Sequence, residues 1–107
     1  MKYIMVLITV PDFDIGKKIA KNLVEEKLAA CVNITKSEVN SIYYWQGNIE
    51  DDTENLLIIK TREDKFENLV KKVKELHPYT VPEIIAMPII MGFEDYLTWI
   101  DETLDRD

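Results

Sequence analysis

From Lys2 to Val10 the chain is almost unbroken apolar sequence, rich in β-branched residues and too short for a stable helix. That pattern predicts a central strand covered on both faces. Pro11 stops it, and Asp12 caps a helix whose apolar positions Ile15, Ile19, Leu23 and Val24 recur at three-to-four spacing before the pattern fades near Lys27 to Ala29. Gly16 inside that helix costs up to about 1 kcal/mol relative to alanine, so packing must compensate. Ala30 to Trp45 reads as a long extended run with a polar middle that bulges or twists. Gln46-Gly47-Asn48 forms a turn, and Ile49 to Asp52 lead into a second apolar run, Asn55 to Thr61, closing a long β-hairpin. Tyr43, Tyr44 and Trp45 are consecutive at its tip and must emerge on both faces.

Thr61-Arg62-Glu63-Asp64 resembles a capping box, and Phe66, Leu69, Val70, Val73 and Leu76 keep helical spacing until Pro78, placing His77 on the same apolar face. Ile84 to Ile90 predicts a last strand, with Pro88 marking an edge or bulge. Gly92 breaks it, and Phe93, Tyr96, Leu97, Ile100 and Leu104 predict a short amphipathic helix with Trp99 at its margin. The order strand, helix, strand, strand, helix, strand is the split βαβ (βαββαβ) pattern of the ferredoxin-like α+β fold, with an antiparallel sheet and an added C-terminal helix. Residues 1–107 form one domain. Both main helices fall on one sheet face. The other face is apolar too, so association of identical copies through sheet faces or edges is expected.

Composition narrows the function. A formal net charge of −7 repels phosphates and argues against nucleic acid as a partner. No apolar run approaches the roughly 18 residues needed to span a bilayer, and the apolar start lacks a small-residue cleavage site, so neither membrane insertion nor a signal peptide is expected. A single cysteine, Cys31, forms no internal disulfide, which fits a cytoplasmic location.

The densest stretch of candidate chemistry is His77-Pro78-Tyr79-Thr80-Val81-Pro82-Glu83, which holds the only histidine. Its prolines make a rigid bend carrying His77, Tyr79 and Glu83. His77 is the metal candidate, since neutral imidazole binds copper, zinc or nickel; the competing reading packs it at a helix end or subunit interface. Cys31 is a soft ligand or, among Ala29, Ala30 and Val32, a small buried hydrophobe. Tyr43, Tyr44, Trp45 and Trp99 stack on a ligand or anchor an interface. Lys60, ending an apolar strand, snorkels, pairs with Glu83 or offers an anion site. Glu50-Asp51-Asp52 is a solvated edge or a collector of hard cations. No pairing of nucleophile and base stands out, so no enzyme is expected.

Five stretches together resemble the CutA family of divalent-cation tolerance proteins: Leu28 to Ile34, Ser41 to Gly47, Ile59 to Thr61, His77 to Tyr79 with Pro82-Glu83, and Tyr96 to Ile100. The resemblance implies a ferredoxin-like subunit in a homotrimer similar to PII-type signalling proteins, a cleft between subunits, and a cytoplasmic protein linked to copper and other divalent metals. Cys31, Trp45, Lys60, Tyr79 and Glu83 are the cleft residues it suggests, with His77 as metal ligand. Some members carry a cysteine on the first strand and a second histidine beside the His-Pro-Tyr motif, where this chain has Ile8 and Leu76. A PII-like module binding a nucleotide or a protein is the alternative, resting on fold analogy because no glycine-rich phosphate loop is present. An acylphosphatase-type enzyme of the same fold needs an arginine in the loop after the first strand, where this chain has Thr9-Val10-Pro11-Asp12.

Overall fold

The structure, a computed structural model, describes residues 2–107. Its elements are β1 (Tyr3–Val10), α1 (Phe13–Glu25), β2 (Cys31–Ile34), β3 (Val39–Trp45), β4 (Asn48–Arg62), α2 (Phe66–Leu76), β5 (Ile84–Pro88) and α3 (Glu94–Leu104). The sheet order is β2-β4-β1-β5, every pairing is antiparallel, and β3 pairs with the first half of β4. This is the expected α+β arrangement with an added C-terminal helix.

Along β1 burial alternates, with Ile4, Val6, Ile8 and Val10 buried and the residues between them half-covered. The buried set packs with Leu57 and Ile59 of β4 against Ile19 and Leu23 of α1 and Leu69 and Val73 of α2. Both main helices therefore lie on one face. Asp12 begins α1 as expected, accepting the Ile15 N–H at 2.8 Å. Gly16 lets α1 approach the sheet closely, since a Cβ there would lie 3.0 Å from Val10 Cγ2 and 3.2 Å from Leu57 Cδ2.

Residues directly opposite in an antiparallel pair share a face, so Tyr3, Met5, Leu7 and Thr9 share the second face with Arg62, Lys60, Ile58 and Leu56. α3 covers one end of this face, where Ile100 and Leu104 pack with Ala30 and Tyr3. Arg62 pins it: the guanidinium donates to Asp64, Asp101 and Asp105, and the Tyr3 hydroxyl donates to Asp101 at 2.5 Å. Ile85 and Met87 of the edge strand β5 remain exposed.

Three local expectations change. The Ala30 to Trp45 run is two strands, because the Thr35 N–H bonds the Leu56 carbonyl and the Thr35 hydroxyl accepts the Leu56 N–H before the chain turns out to β3. The hairpin arm is one 15-residue strand, and its turn is only Gln46-Gly47, both with positive φ (49° and 88°), because Asn48 already pairs with Trp45. Thr61 does not cap α2. It lies in β4 with its hydroxyl buried and donated to the Leu28 carbonyl at 2.7 Å, while α2 is entered through a 3₁₀ turn at Glu63–Lys65 without a side-chain cap.

Candidate functional site

The second face ends, opposite α3, in a cavity of about 640 Å³. Two segments wall it. One is the hairpin, where Ser41, Tyr43 and Trp45 of β3 stand opposite Asp52, Glu50 and Asn48 of β4 and so share the face of Glu54. The other is the rigid segment Pro78–Glu83 that links α2 to β5.

His77 fastens that segment to the sheet. Its backbone leaves the helical region at the C-cap (φ −83°, ψ 133°), as a residue before proline must. The side chain is buried, with Nε2 2.8 Å from the Thr9 carbonyl and Nδ1 3.2 Å from the Tyr79 backbone nitrogen. A backbone N–H can only donate, so Nδ1 is the acceptor and Nε2 carries the proton given to Thr9. Both ring nitrogens are thus engaged, and the ring sits 4.7 Å from that of Tyr79.

Tyr79 reaches from this bend to Glu54, its hydroxyl donating to Oε2 at 2.9 Å. Glu54 is only 4% exposed, yet it lines the cavity. Burial, reinforced by the bond to Glu54, raises the Tyr79 pKa well above its ordinary value. The Tyr43 hydroxyl donates to Asp52 at 2.6 Å, and that bond is the main reason its pKa is pushed up to about 12. Both phenols therefore remain donors to carboxylates across the physiological range. Glu54 and Glu83 line the cavity, and no lysine, arginine or histidine does. The arrangement favours a positively charged occupant.

Of the six candidates from the sequence, Trp45, Tyr79 and Glu83 meet in this cavity, with His77 bracing its wall. Cys31 and Lys60 do not join them. They oppose each other across β2 and β4, with Lys60 six residues along β4 from Glu54, or about 20 Å. Lys60 donates to Asn33 and not to Glu83. Cys31 is half-buried beside the Tyr96 hydroxyl of α3, which raises the phenol's pKa after the larger effect of burial. Glu54 and Tyr43 complete the cavity, and Asp52 holds the Tyr43 hydroxyl. For Glu54 the signal was alternation, because Glu50, Asp52 and Glu54 continue the same-face series of Leu56 and Ile58. Among the described residues, no three His, Cys, Asp or Glu side chains converge to hold a metal ion. No helix among them is long and apolar enough to cross a membrane.

Comparison with known proteins agrees with this architecture. The chain is 54% identical over 98 residues to the divalent-cation tolerance protein CutA of Thermus thermophilus, covering 92% of this chain and 94% of that one. It is 50% identical over 97 residues to the chloroplastic protein CutA of Arabidopsis thaliana, covering 91% of this chain but only 53% of that protein. The chain thus spans about half the length of this plant relative. The solved structure of the periplasmic divalent cation tolerance protein CutA from Archaeoglobus fulgidus superposes with a TM-score of 0.92 at 45% identity, covering 96% of this chain and 99% of that one. CutA1 from Oryza sativa superposes with a TM-score of 0.93 at 44% identity, covering 100% and 97%. The family model of the CutA1 divalent ion tolerance protein matches residues 4–103, from the first strand through nearly all of α3, and the chain belongs to that family.

Proposed function

We propose that this chain works as a non-enzymatic homotrimer in cytoplasmic divalent-cation tolerance, holding copper or another divalent cation in a cleft formed where the cavity meets a neighbouring copy. The observation that carries this reading is the buried Glu54 carboxylate, opening with Glu83 into a cavity lined by no basic side chain. A carboxylate deep in a cleft, with a second one exposed on its lining, focuses potential on a cation. A divalent ion needs several ligands, and one subunit does not assemble them. The neighbouring copy supplies the remainder. Support for association comes from the uncovered apolar residues of the hairpin, Ile42 at 69% and Ile49 at 72% exposure, and from the bare Ile85 and Met87 on β5. For His77 to join the ligand set, Nδ1 must release the Tyr79 N–H, the longer of its two bonds.

Calorimetric titration of the purified protein with copper, on wild type, Glu54→Gln and His77→Ala, tests the reading. Binding weakened in Glu54→Gln supports it. Equal affinity in His77→Ala removes His77 from the site. Copper heats no larger than a buffer blank, or a monomer in sedimentation equilibrium, overturn the proposal.

A further inference from the structure

The geometry points to an aliphatic diammonium as a ligand of the cavity beneath the hairpin. This rests on the reading of the cavity as a cation site and goes beyond it in the class of cation. Glu54 is more than nine-tenths buried, and the Tyr79 hydroxyl on Oε2 is its one side-chain donor among the described residues. No fully enclosed side-chain oxygen among them lacks a partner, so Oε1 must be open to the cavity that Glu54 lines. A carboxylate so placed keeps acceptor capacity that water fills until a better-matched donor displaces it.

The surroundings select the kind of occupant. Tyr43, Trp45 and Tyr79 line the same cavity with Ile42. Aromatic rings attract ammonium groups through their quadrupoles, whereas a bare divalent metal seeks six or more oxygens. One buried carboxylate with aromatic side chains around it suits an alkylammonium and leaves a bare metal under-coordinated within a single subunit. The second carboxylate of the lining, Glu83, is exposed, while Glu54 is deep. A cation with two heads therefore places one ammonium on Glu54 and the other near Glu83, its methylenes lying against Tyr43 and Trp45. The volume of about 640 Å³ accommodates such a chain, and falls within the roughly 300–1,000 Å³ typical of small-molecule sites.

Titration of the intact protein with 1,4-diaminobutane tests the assignment, read by calorimetry and by Trp45 fluorescence in a Trp99→Phe background. Trp99 is partly exposed on α3 and is not among the cavity's lining residues, so its replacement isolates the cavity signal. The expected result is saturable binding with a change in Trp45 emission. Glu54→Gln should weaken it about tenfold or more with an unchanged circular dichroism spectrum, and butylamine should bind more weakly than the diamine. Trp45→Ala, at a partly exposed site, should weaken binding without unfolding the chain. The inference is overturned if the diamine gives no saturable signal, if Glu54→Gln binds as wild type does, or if butylamine matches the diamine. Copper binding without diamine binding overturns this inference and leaves the metal reading standing. Diamine binding without copper binding does the reverse.

Discussion

Replacing Arg62 with methionine should release α3 while leaving the body of the sheet folded. The guanidinium is nearly buried and makes five hydrogen bonds, at 2.8 to 3.2 Å, to Asp64, Asp101 and Asp105. Charge-assisted bonds are worth up to about 3 kcal/mol each when buried, but these three carboxylates are 36%, 38% and 59% exposed. Water competes for them, so about 0.5 kcal/mol per bond is the better figure, and the three bonds that reach Asp101 and Asp105 hold α3 by about 1.5 kcal/mol. Methionine keeps the apolar stem and removes the charge, leaving three like charges facing one another. Ile100 and Leu104 still hold α3 hydrophobically, so local opening should be favoured over global collapse. Hydrogen exchange of the α3 amides should quicken on the order of 10-fold, with β1 and β4 changing less. The Cys31 thiol, beside Tyr96 of α3, should react faster with a disulfide reagent. If α3 exchange and Cys31 reactivity both stay at wild-type levels, the cluster does not hold α3 and the reasoning fails.

Three further outcomes follow from local geometry. Because the Tyr43 pKa is raised from 10.0 to about 12, the stabilisation from its bond to Asp52 is complete below the unfolded-state value and is lost as pH rises through the folded one; urea midpoints should fall across that window, and less steeply in Tyr43→Phe. Gly16→Ala gains about 0.8–1 kcal/mol of helix propensity, but its methyl meets the fixed Val10 and Leu57 at 3.0 and 3.2 Å. Overpacking costs about 1–3 kcal/mol, so the variant should be less stable by about 1 kcal/mol in urea unfolding, and a raised midpoint would refute the close-packing argument. Gln46→Asn should raise the midpoint by a few tenths of a kcal/mol, since Gln46 and Gly47 both have positive φ and asparagine before glycine is favoured in such turns.

Much of the fold was legible because its signals are local. Asp12 sits where a cap should, Pro78 ends α2, and Gly47 closes the hairpin. Thr61 misled because a threonine before acidic residues has the chemistry of a cap, while its actual acceptor, the Leu28 carbonyl, lies 33 residues away. That both helices cover one face was expected, but which alternating set of β1 they cover was not legible: both sets are largely apolar, and only the structure shows that the helices take the even positions completely. The site divides in the same way. The rigid bend at His77 to Glu83 was visible from its prolines, but its partner Glu54 is 25 residues from Tyr79 in the chain. Cys31 and Lys60 looked like companions of that bend, and the strand register sets them opposite each other at the other end of the face.

The unbroken β4 strand carries Glu54 at the cavity and Arg62 at the α3 clasp, with Leu56, Ile58 and Lys60 between them on the same face. Eight residues of extended chain make a stiff rod of about 27 Å. A slip of one residue would turn that whole row into the helix-packed core, so the allowed settings are separated by two-residue steps. A tug at the hairpin therefore cannot reach the α3 clasp by a small slide of β4, because sliding has no small increments.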